Sequence, residues 1–100
     1  MIRHKYGAKP TTKDDIRFDS KAEAAYYSQL KIRLNHDVLF FLRQVPFDLP
    51  GGVKYRADFV LFMKDGNVEI IDVKGMDTPM SKMKRKQVED LYPIEIKLAK

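Results

Sequence analysis

The sequence predicts an α/β domain with the core order α-β-β-β-α-β, in which helices flank a mixed sheet. Two helical segments and four apolar, strand-favouring segments alternate in this order, and turn dipeptides of Pro, Gly, Asp and Asn separate them. The chain has 100 residues, which suits one domain. The first three strands suggest an antiparallel meander, and the helix before the last strand predicts a parallel crossover beside an internal strand.

The first helix is predicted over about residues 20–35. Ser20 and Glu23 form the S-x-x-E pattern of a capping box, and apolar residues recur along one face. The polar, basic stretch before it forms either a short hairpin, turning at Lys13-Asp14-Asp15, or an arm that orders on binding. We therefore divide the chain into an N-terminal arm or hairpin, 1–18, and a single domain, 19–100.

The remaining elements follow from turn and cap signals. Three strands are predicted, at about residues 38–47, 54–63 and 68–75. A Pro-Gly-Gly turn separates the first two, and an Asp-Gly turn makes the last two a hairpin. Thr78-Pro79 begins the second helix, predicted over about residues 79–92, and the segment "IEIKLA" after Pro93 is the final strand.

Composition narrows the classes of function. The net charge is +5, from 19 Lys and Arg against 14 Asp and Glu, and a basic surface favours polyanions such as DNA as partners. The chain has no Cys, which excludes disulfides, thiolate metal sites and a Cys nucleophile. No apolar run reaches the length of a membrane span, and no signal peptide opens the sequence. We expect a soluble cytoplasmic protein without a membrane partner.

Three charged residues interrupt apolar strand faces in the predicted hairpin. Asp58 shares its face with apolar neighbours on one strand, and Asp72 and Lys74 do so on the next, because residues two apart in a strand point the same way. Counting outward from the turn places Asp58 and Asp72 roughly opposite each other. The sheet would therefore bring two carboxylates together inside an apolar surface.

Two adjacent carboxylates repel each other unless a proton or a cation separates them. Oxygen ligands suit Mg²⁺ or Mn²⁺. Lys74 would then position or deprotonate an attacking water, or stabilise phosphate charge, so the three residues describe a site for phosphodiester hydrolysis. Two structural alternatives remain open here. The charges form a buried Asp–Lys or Asp–Arg ion pair on the sheet, or Asp72 and Lys74 face solvent on a one-sided strand.

The segments "ADF" and "DVK" resemble the motif of the PD-(D/E)XK nuclease superfamily, which has a restriction-endonuclease-like core of the order α-β-β-β-α-β. Asp58 matches the acid of the first motif strand, and Asp72-Val73-Lys74 matches the D-x-K of the next. Ala57 stands where the name-giving proline would be. The resemblance implies that Asp58, Asp72 and the Val73 backbone carbonyl bind Mg²⁺ or Mn²⁺, with Lys74 as a catalytic residue.

A closer resemblance covers nearly the whole chain. "FDSKAEAAYYSQL", "YRADF" and "DVKG", followed by a Thr and a Lys-rich helix, resemble a family of small phage-encoded proteins that are regarded as endonucleases similar to Holliday-junction resolvases. This resemblance implies that Glu23 adds a catalytic, metal-binding acid, although the capping box explains Glu23 equally well. It also places Gln44 beside the active site as a polar neighbour.

The resemblance leads us to expect a metal-dependent endodeoxyribonuclease, selective for branched DNA, that acts in phage recombination or replication in the host cell cytoplasm. Two cuts require two sites, which predicts a homodimer, with the apolar "VLFFL" as its interface. The alternatives are a non-catalytic DNA-binding module on the same fold and a packaging partner. The second helix supplies the expected phosphate contacts, unless its cations form a solvated face. These contacts are Lys82, Lys84, Arg85 and Lys86.

Overall fold

The structure is a computed structural model that describes residues 10–100. It contains six strands and two helices in the order β-β-α-β-β-β-α-β, so the predicted core order is confirmed and a hairpin precedes it. The elements are β1 (Thr11–Lys13), β2 (Ile16–Phe18), α1 (Lys21–Arg33), β3 (Val38–Leu49), β4 (Val53–Met63), β5 (Val68–Val73), α2 (Pro79–Leu91) and β6 (Ile96–Ala99).

The N-terminal segment is a hairpin in the part that the structure describes. Lys13 pairs with Ile16 across a two-residue turn in which Asp14 and Asp15 have φ angles of 51° and 61°. Short polar side chains tolerate this left-handed conformation, and such turns match the twist of the paired strands. Phe18 is fully buried and packs in the same core as α1. The first nine residues of the predicted arm lie outside the described residues.

Helix α1 begins at the predicted cap. The Ser20 side chain accepts a hydrogen bond of 3.1 Å from the backbone N–H of Glu23, and this satisfies one of the free donors of the first turn. Lys31 and Arg33 occupy the last turn, where positive charge stabilises the helix dipole. The buried face of α1 includes Tyr27, which fixes how the helix lies on the sheet.

The main sheet is mixed and has the strand order β3-β4-β5-β6. The first three strands form the predicted antiparallel meander, and β6 is parallel to β5. The parallel crossover through α2 therefore joins the open edge of the meander, which makes β5 an internal strand. Strand β3 remains at the opposite edge of the sheet.

A core lies on each face of this sheet. Phe59 and Ile71 pack beneath α1, whereas Val60 and Ile70 pack with Val88 of α2. Successive residues of a strand point to opposite faces, so the all-apolar centres of β4 and β5 serve both cores. The predicted arrangement of a mixed sheet flanked by helices is thus confirmed.

The regular alternation of side chains between the two faces of the sheet shifts by one residue at Asp58 in β4, and we call this shift the slip. Ala57 packs on the α2 side and Phe59 on the α1 side, although residues two apart normally share a face. Gln44 lies opposite Asp58 in the register of β3 and β4, and its φ angle of 52° falls in the left-handed region. A non-glycine residue there costs on the order of 1 kcal/mol. The backbone is therefore strained where the charged residues lie, and strain of this kind often accompanies functional sites.

Neither helix within residues 10–100 combines the length and the apolar character needed to cross a bilayer.

Candidate active site

Asp58 and Asp72 lie side by side where β4 and β5 separate. The last backbone pair between the two strands is Phe59 with Ile71, and the same register sets Asp58 opposite Asp72. The Asp72 carboxyl is close enough to raise the pKa of Asp58. Only 2% of Asp72 is exposed to solvent. The structure therefore brings together the two acids that strand counting placed opposite each other.

The surroundings of Asp58 favour its neutral form. Burial and then the neighbouring Asp72 carboxyl raise the pKa of Asp58 to about 8, although a hydrogen bond of 2.8 Å from the Val73 N–H to Asp58 Oδ2 opposes the shift. Near neutral pH the metal-free protein therefore holds a proton on Asp58, beside Asp72.

Two positively polarised groups contact the same oxygen of Asp72. The Tyr55 hydroxyl donates to Asp72 Oδ2 over 2.6 Å, and Lys74 Nζ lies 3.5 Å from the same atom. Burial, and then this hydrogen bond to Asp72, raise the pKa of Tyr55, which keeps its hydroxyl protonated. Lys74 is partly exposed, so its ammonium group lies between the buried Asp72 and solvent. Sequence reasoning missed Tyr55, because regular alternation along β4 gives no sign that its side chain reaches Asp72.

Gln44 lies between two acids, as its predicted place beside the site requires. Its Nε2 donates to Glu23 Oε2 at 3.1 Å and to Asp58 Oδ1 at 3.2 Å. One amide thus links α1 to β4. The left-handed backbone of Gln44 aims the side chain into this position.

The Glu23 side chain belongs to the site and not to the helix cap. Its Oε2 lies 3.6 Å from Arg43 Nη2 and accepts the bond from Gln44, and the side chain is 6% exposed. Burial, and then the nearby Asp19 carboxylate, raise the pKa of Glu23. The Arg43 guanidinium, 4.5 Å from the centre of the Phe18 ring, balances this charge. Arg43 was also missed from the sequence, where an arginine in an apolar strand has no pattern of its own.

Paired substitutions separate the cap from the site. We expect Ser20→Ala to lower the free energy of unfolding by about 1 kcal/mol, because it removes the side-chain cap. Glu23→Gln should lower that free energy less in EDTA, since the Ser20 cap is intact and the amide carbonyl still accepts from Gln44, yet it should slow any metal-dependent reaction. Urea denaturation in EDTA measures both effects. Equal destabilisation by the two substitutions, with full activity in Glu23→Gln, would contradict this assignment.

The donor atoms fit a hard divalent cation. Asp58 and Asp72 supply carboxylate oxygens of the kind that Mg²⁺ and Mn²⁺ prefer. In a strand the N–H and C=O of one residue point to the same side, so the Val73 carbonyl faces the same side as the N–H that binds Asp58. Between residues 10 and 100, no three His, Asp or Glu side chains gather into a ready-made metal cluster. The Gln44 amide lies between Glu23 and Asp58, so Glu23 would contact a cation at the two aspartates through a water molecule and not directly.

The four basic residues of α2 have different environments. Both Nη atoms of Arg85 lie 2.7 Å from Asp77 carboxylate oxygens, and the Arg85 side chain is 11% exposed. This geometry favours an ion-pair role for Arg85 over the predicted phosphate contact. Lys86 is exposed and lies 3.9 Å from Asp90. Lys82 and Lys84 form no ion pair with any residue that the structure describes, so they keep their predicted role.

A cavity of about 370 Å³ lies between the β4–β5 turn and the segment before β6. Its lining includes Glu69 and Glu95, and none of the predicted site residues. The candidate site lies instead just beyond the last backbone pair of β4 and β5.

Comparison with known proteins identifies a family without an assigned activity. A search of curated proteins and a search of solved structures found no match. The model of one family, described as "Protein of unknown function (DUF1064)", matches residues 3–99, which is nearly the whole chain. The chain therefore belongs to the DUF1064 family.

Proposed function

We propose that this protein is a Mg²⁺- or Mn²⁺-dependent endodeoxyribonuclease that hydrolyses phosphodiester bonds. One observation carries the proposal: the half-buried Asp58 lies opposite the buried Asp72, and Lys74 Nζ lies 3.5 Å from Asp72 Oδ2. The same residues resemble the PD-(D/E)XK nuclease motif. The proximity of these three motif residues supports a catalytic role for them.

Charge balance supports a cation over a structural ion pair. Glu23 has Arg43 as its partner and Asp72 has Lys74, whereas Asp58 forms no ion pair in the described part of the chain. Its hydrogen-bond donors are the Gln44 amide and the Val73 N–H, which are neutral. A simple Asp–Lys pair leaves this second, half-buried acid without a charged partner; a proton neutralises it in the metal-free protein, and a divalent cation would replace that proton. The burial of Asp72 also argues against a solvent-facing pair.

The chain's own groups have distinct tasks in the proposed reaction. A bound divalent cation would neutralise Asp58 and Asp72 and polarise the scissile phosphate. Lys74 Nζ lies 3.5 Å from Asp72 Oδ2, where it orients the attacking water as an ammonium ion, or accepts the water's proton after its own proton has passed to solvent. The water oxygen attacks phosphorus, and the superfamily resemblance implies that the bond to the 3′ oxygen breaks to leave a 5′-phosphate.

The basic helix supplies the proposed DNA contacts. Lys82, Lys84 and Lys86 lie on α2, which follows β5 and the site directly in the chain. Such lysines bind phosphates without reading sequence, so binding should weaken steeply as salt increases. We propose branched DNA as the substrate, since phosphate contacts of this kind can follow the shape of DNA without reading its sequence. The proposed place of action is the cytoplasm, of the host cell if a phage encodes the protein.

An edge strand provides the proposed dimer interface. On β3, 60% of Leu39, 45% of Phe40 and 48% of Leu42 are exposed. The Phe40 ring stacks on Phe62 at 4.4 Å, which extends the apolar surface onto β4. An uncovered apolar edge invites pairing with another strand. A second copy paired along β3 would cover this edge and provide the second active site that paired cuts require.

A charge on this edge should separate the two copies. We expect Leu39→Lys to convert a dimer into a monomer, because a buried lysine without a partner opposes association. Light scattering coupled to size-exclusion chromatography measures the mass. Ile32→Lys is the matched control, since Ile32 is equally exposed but lies on α1. A monomeric wild-type protein, or a dimer that survives Leu39→Lys, would contradict the proposed interface.

Cleavage of labelled DNA tests the proposed function. Wild-type protein is incubated with a four-way junction and with a linear duplex, each in Mg²⁺ or in EDTA, beside the variant Asp72→Asn. Metal-dependent cutting of the junction alone supports a resolvase-like enzyme, and cutting of both substrates supports a general nuclease. Binding without cutting, unchanged in Asp72→Asn, would show a non-catalytic DNA-binding module instead.

A further inference from the structure

Tyr55 is the described side chain that donates the shortest hydrogen bond to the predicted metal-binding acids, and no motif position assigns it a role. Its hydroxyl lies 2.6 Å from Asp72 Oδ2, and both side chains are buried. The ring packs in the α2-side core, where Phe47 lies 6.4 Å away between ring centres. A buried ring leaves the hydroxyl little freedom to move, so it is a fixed donor.

The contact depends on the slip in β4. Tyr55 and Ala57 pack on the same side as Val60, so the slip at Asp58 brings Tyr55 onto the face where Asp72 lies. With regular alternation, Tyr55 and Val60 would lie on opposite faces of the sheet. The slip thus places Asp58 in the site and also brings Tyr55 to Asp72, which its hydroxyl orients.

Tyr55 determines which oxygen of Asp72 remains for a cation. A carboxylate has two oxygens and rotates about one bond, and Oδ2 already receives Tyr55 and faces Lys74. We infer that Tyr55 is a positioning residue of the proposed metal site, whose hydroxyl holds Asp72 with Oδ1 turned towards the cation. The inference rests on the proposed function and adds a residue to its site.

Partners that orient a metal ligand without touching the metal typically raise its metal affinity about 10–100-fold. Without the hydroxyl, Asp72 rotates more freely and Lys74 becomes the remaining donor to Oδ2. The main effect should therefore be a lower affinity for the metal. Saturating metal should restore most of the cleavage rate, since the acids and Lys74 are still present.

The test compares Tyr55→Phe with Tyr27→Phe. Tyr27 is the matched control, because it is buried and its hydroxyl donates to the Asp14 carboxylate at 3.0 Å, away from the site. Calorimetric titration with Mn²⁺ should show a dissociation constant about 10–100-fold higher in Tyr55→Phe than in wild type. Tyr27→Phe should bind Mn²⁺ as wild type does. Thermal unfolding in EDTA gives the folded fraction of each protein.

A further variant separates the loss of the hydroxyl from a general effect on packing. Phe47→Leu loosens the core beside the Tyr55 ring but keeps the Tyr55 hydroxyl, so its Mn²⁺ affinity should stay near that of wild type. Wild-type-like Mn²⁺ affinity in Tyr55→Phe would overturn the inference and leave the nuclease proposal intact. An equal loss of Mn²⁺ affinity in Phe47→Leu would overturn it too. A wild-type protein that neither binds Mn²⁺ nor cuts DNA would overturn both.

Discussion

Asp58→Asn is expected to abolish metal binding and, at pH 8 in EDTA, to make the protein more stable. The pKa of Asp58 is about 8 in the folded chain, against ~3.9 in an unfolded one. The folded state therefore binds this proton more tightly, and stability decreases as pH rises from about 4 to about 8. Asparagine is neutral throughout this range, and its carbonyl still accepts from Val73.

The gain at pH 8 should be on the order of 1–3 kcal/mol, and it should shrink towards pH 4, where aspartic acid and asparagine are both neutral in the folded state. Urea denaturation at both pH values measures it. Asp37→Asn is the control, because a hydrogen bond from Arg33 lowers the pKa of exposed Asp37, so its loss should not stabilise the protein. A loss of stability at pH 8 in Asp58→Asn would contradict the proposed repulsion between Asp58 and Asp72.

Lys74→Met should separate catalysis from metal binding. Methionine keeps most of the aliphatic length but removes the ammonium group at 3.5 Å from Asp72. We expect the cleavage rate at saturating metal to fall about 10²–10⁴-fold, the usual contribution of a group that moves a proton or positions the attacking water. Mn²⁺ affinity should persist or increase, since a competing positive charge is removed.

Lys97→Met provides the comparison for Lys74. Lys97 Nζ also lies 3.5 Å from a carboxylate, that of Glu69, but this pair includes none of the candidate site residues. Its removal should leave both cleavage and metal affinity at wild-type values. If Lys74→Met cuts at the wild-type rate, or if it loses Mn²⁺ binding together with activity, Lys74 does not have the proposed catalytic role.

The sequence was sufficient to predict that Asp58 and Asp72 face each other across β4 and β5, because this register depends on the period of a strand and the length of one turn. Both are local, and the register of β4 and β5 agrees with them. The same counting failed to find Tyr55, whose approach to Asp72 requires the slip at Asp58. That slip accompanies the positive φ of Gln44, and glutamine carries no sequence signal for a left-handed conformation.

Glu23 and Arg85 show a second limit. An S-x-x-E pattern looks the same whether the glutamate caps its helix or turns to the sheet, and the deciding partners, Arg43 and Gln44, lie on a distant strand. Arg85 was grouped with its basic neighbours, but its carboxylate partner Asp77 precedes the helix cap. Such pairs depend on the path of a loop, which neither periodicity nor charge counting describes.

The most direct test of the central claim is the anomalous difference map of a crystal soaked in Mn²⁺. The claim is that Asp58 and Asp72 together hold a divalent cation. We predict one strong peak between the two carboxylates, absent from crystals of Asp72→Asn soaked in the same way. An ordered site without a peak between these carboxylates, or a peak that persists in Asp72→Asn, would contradict the claim.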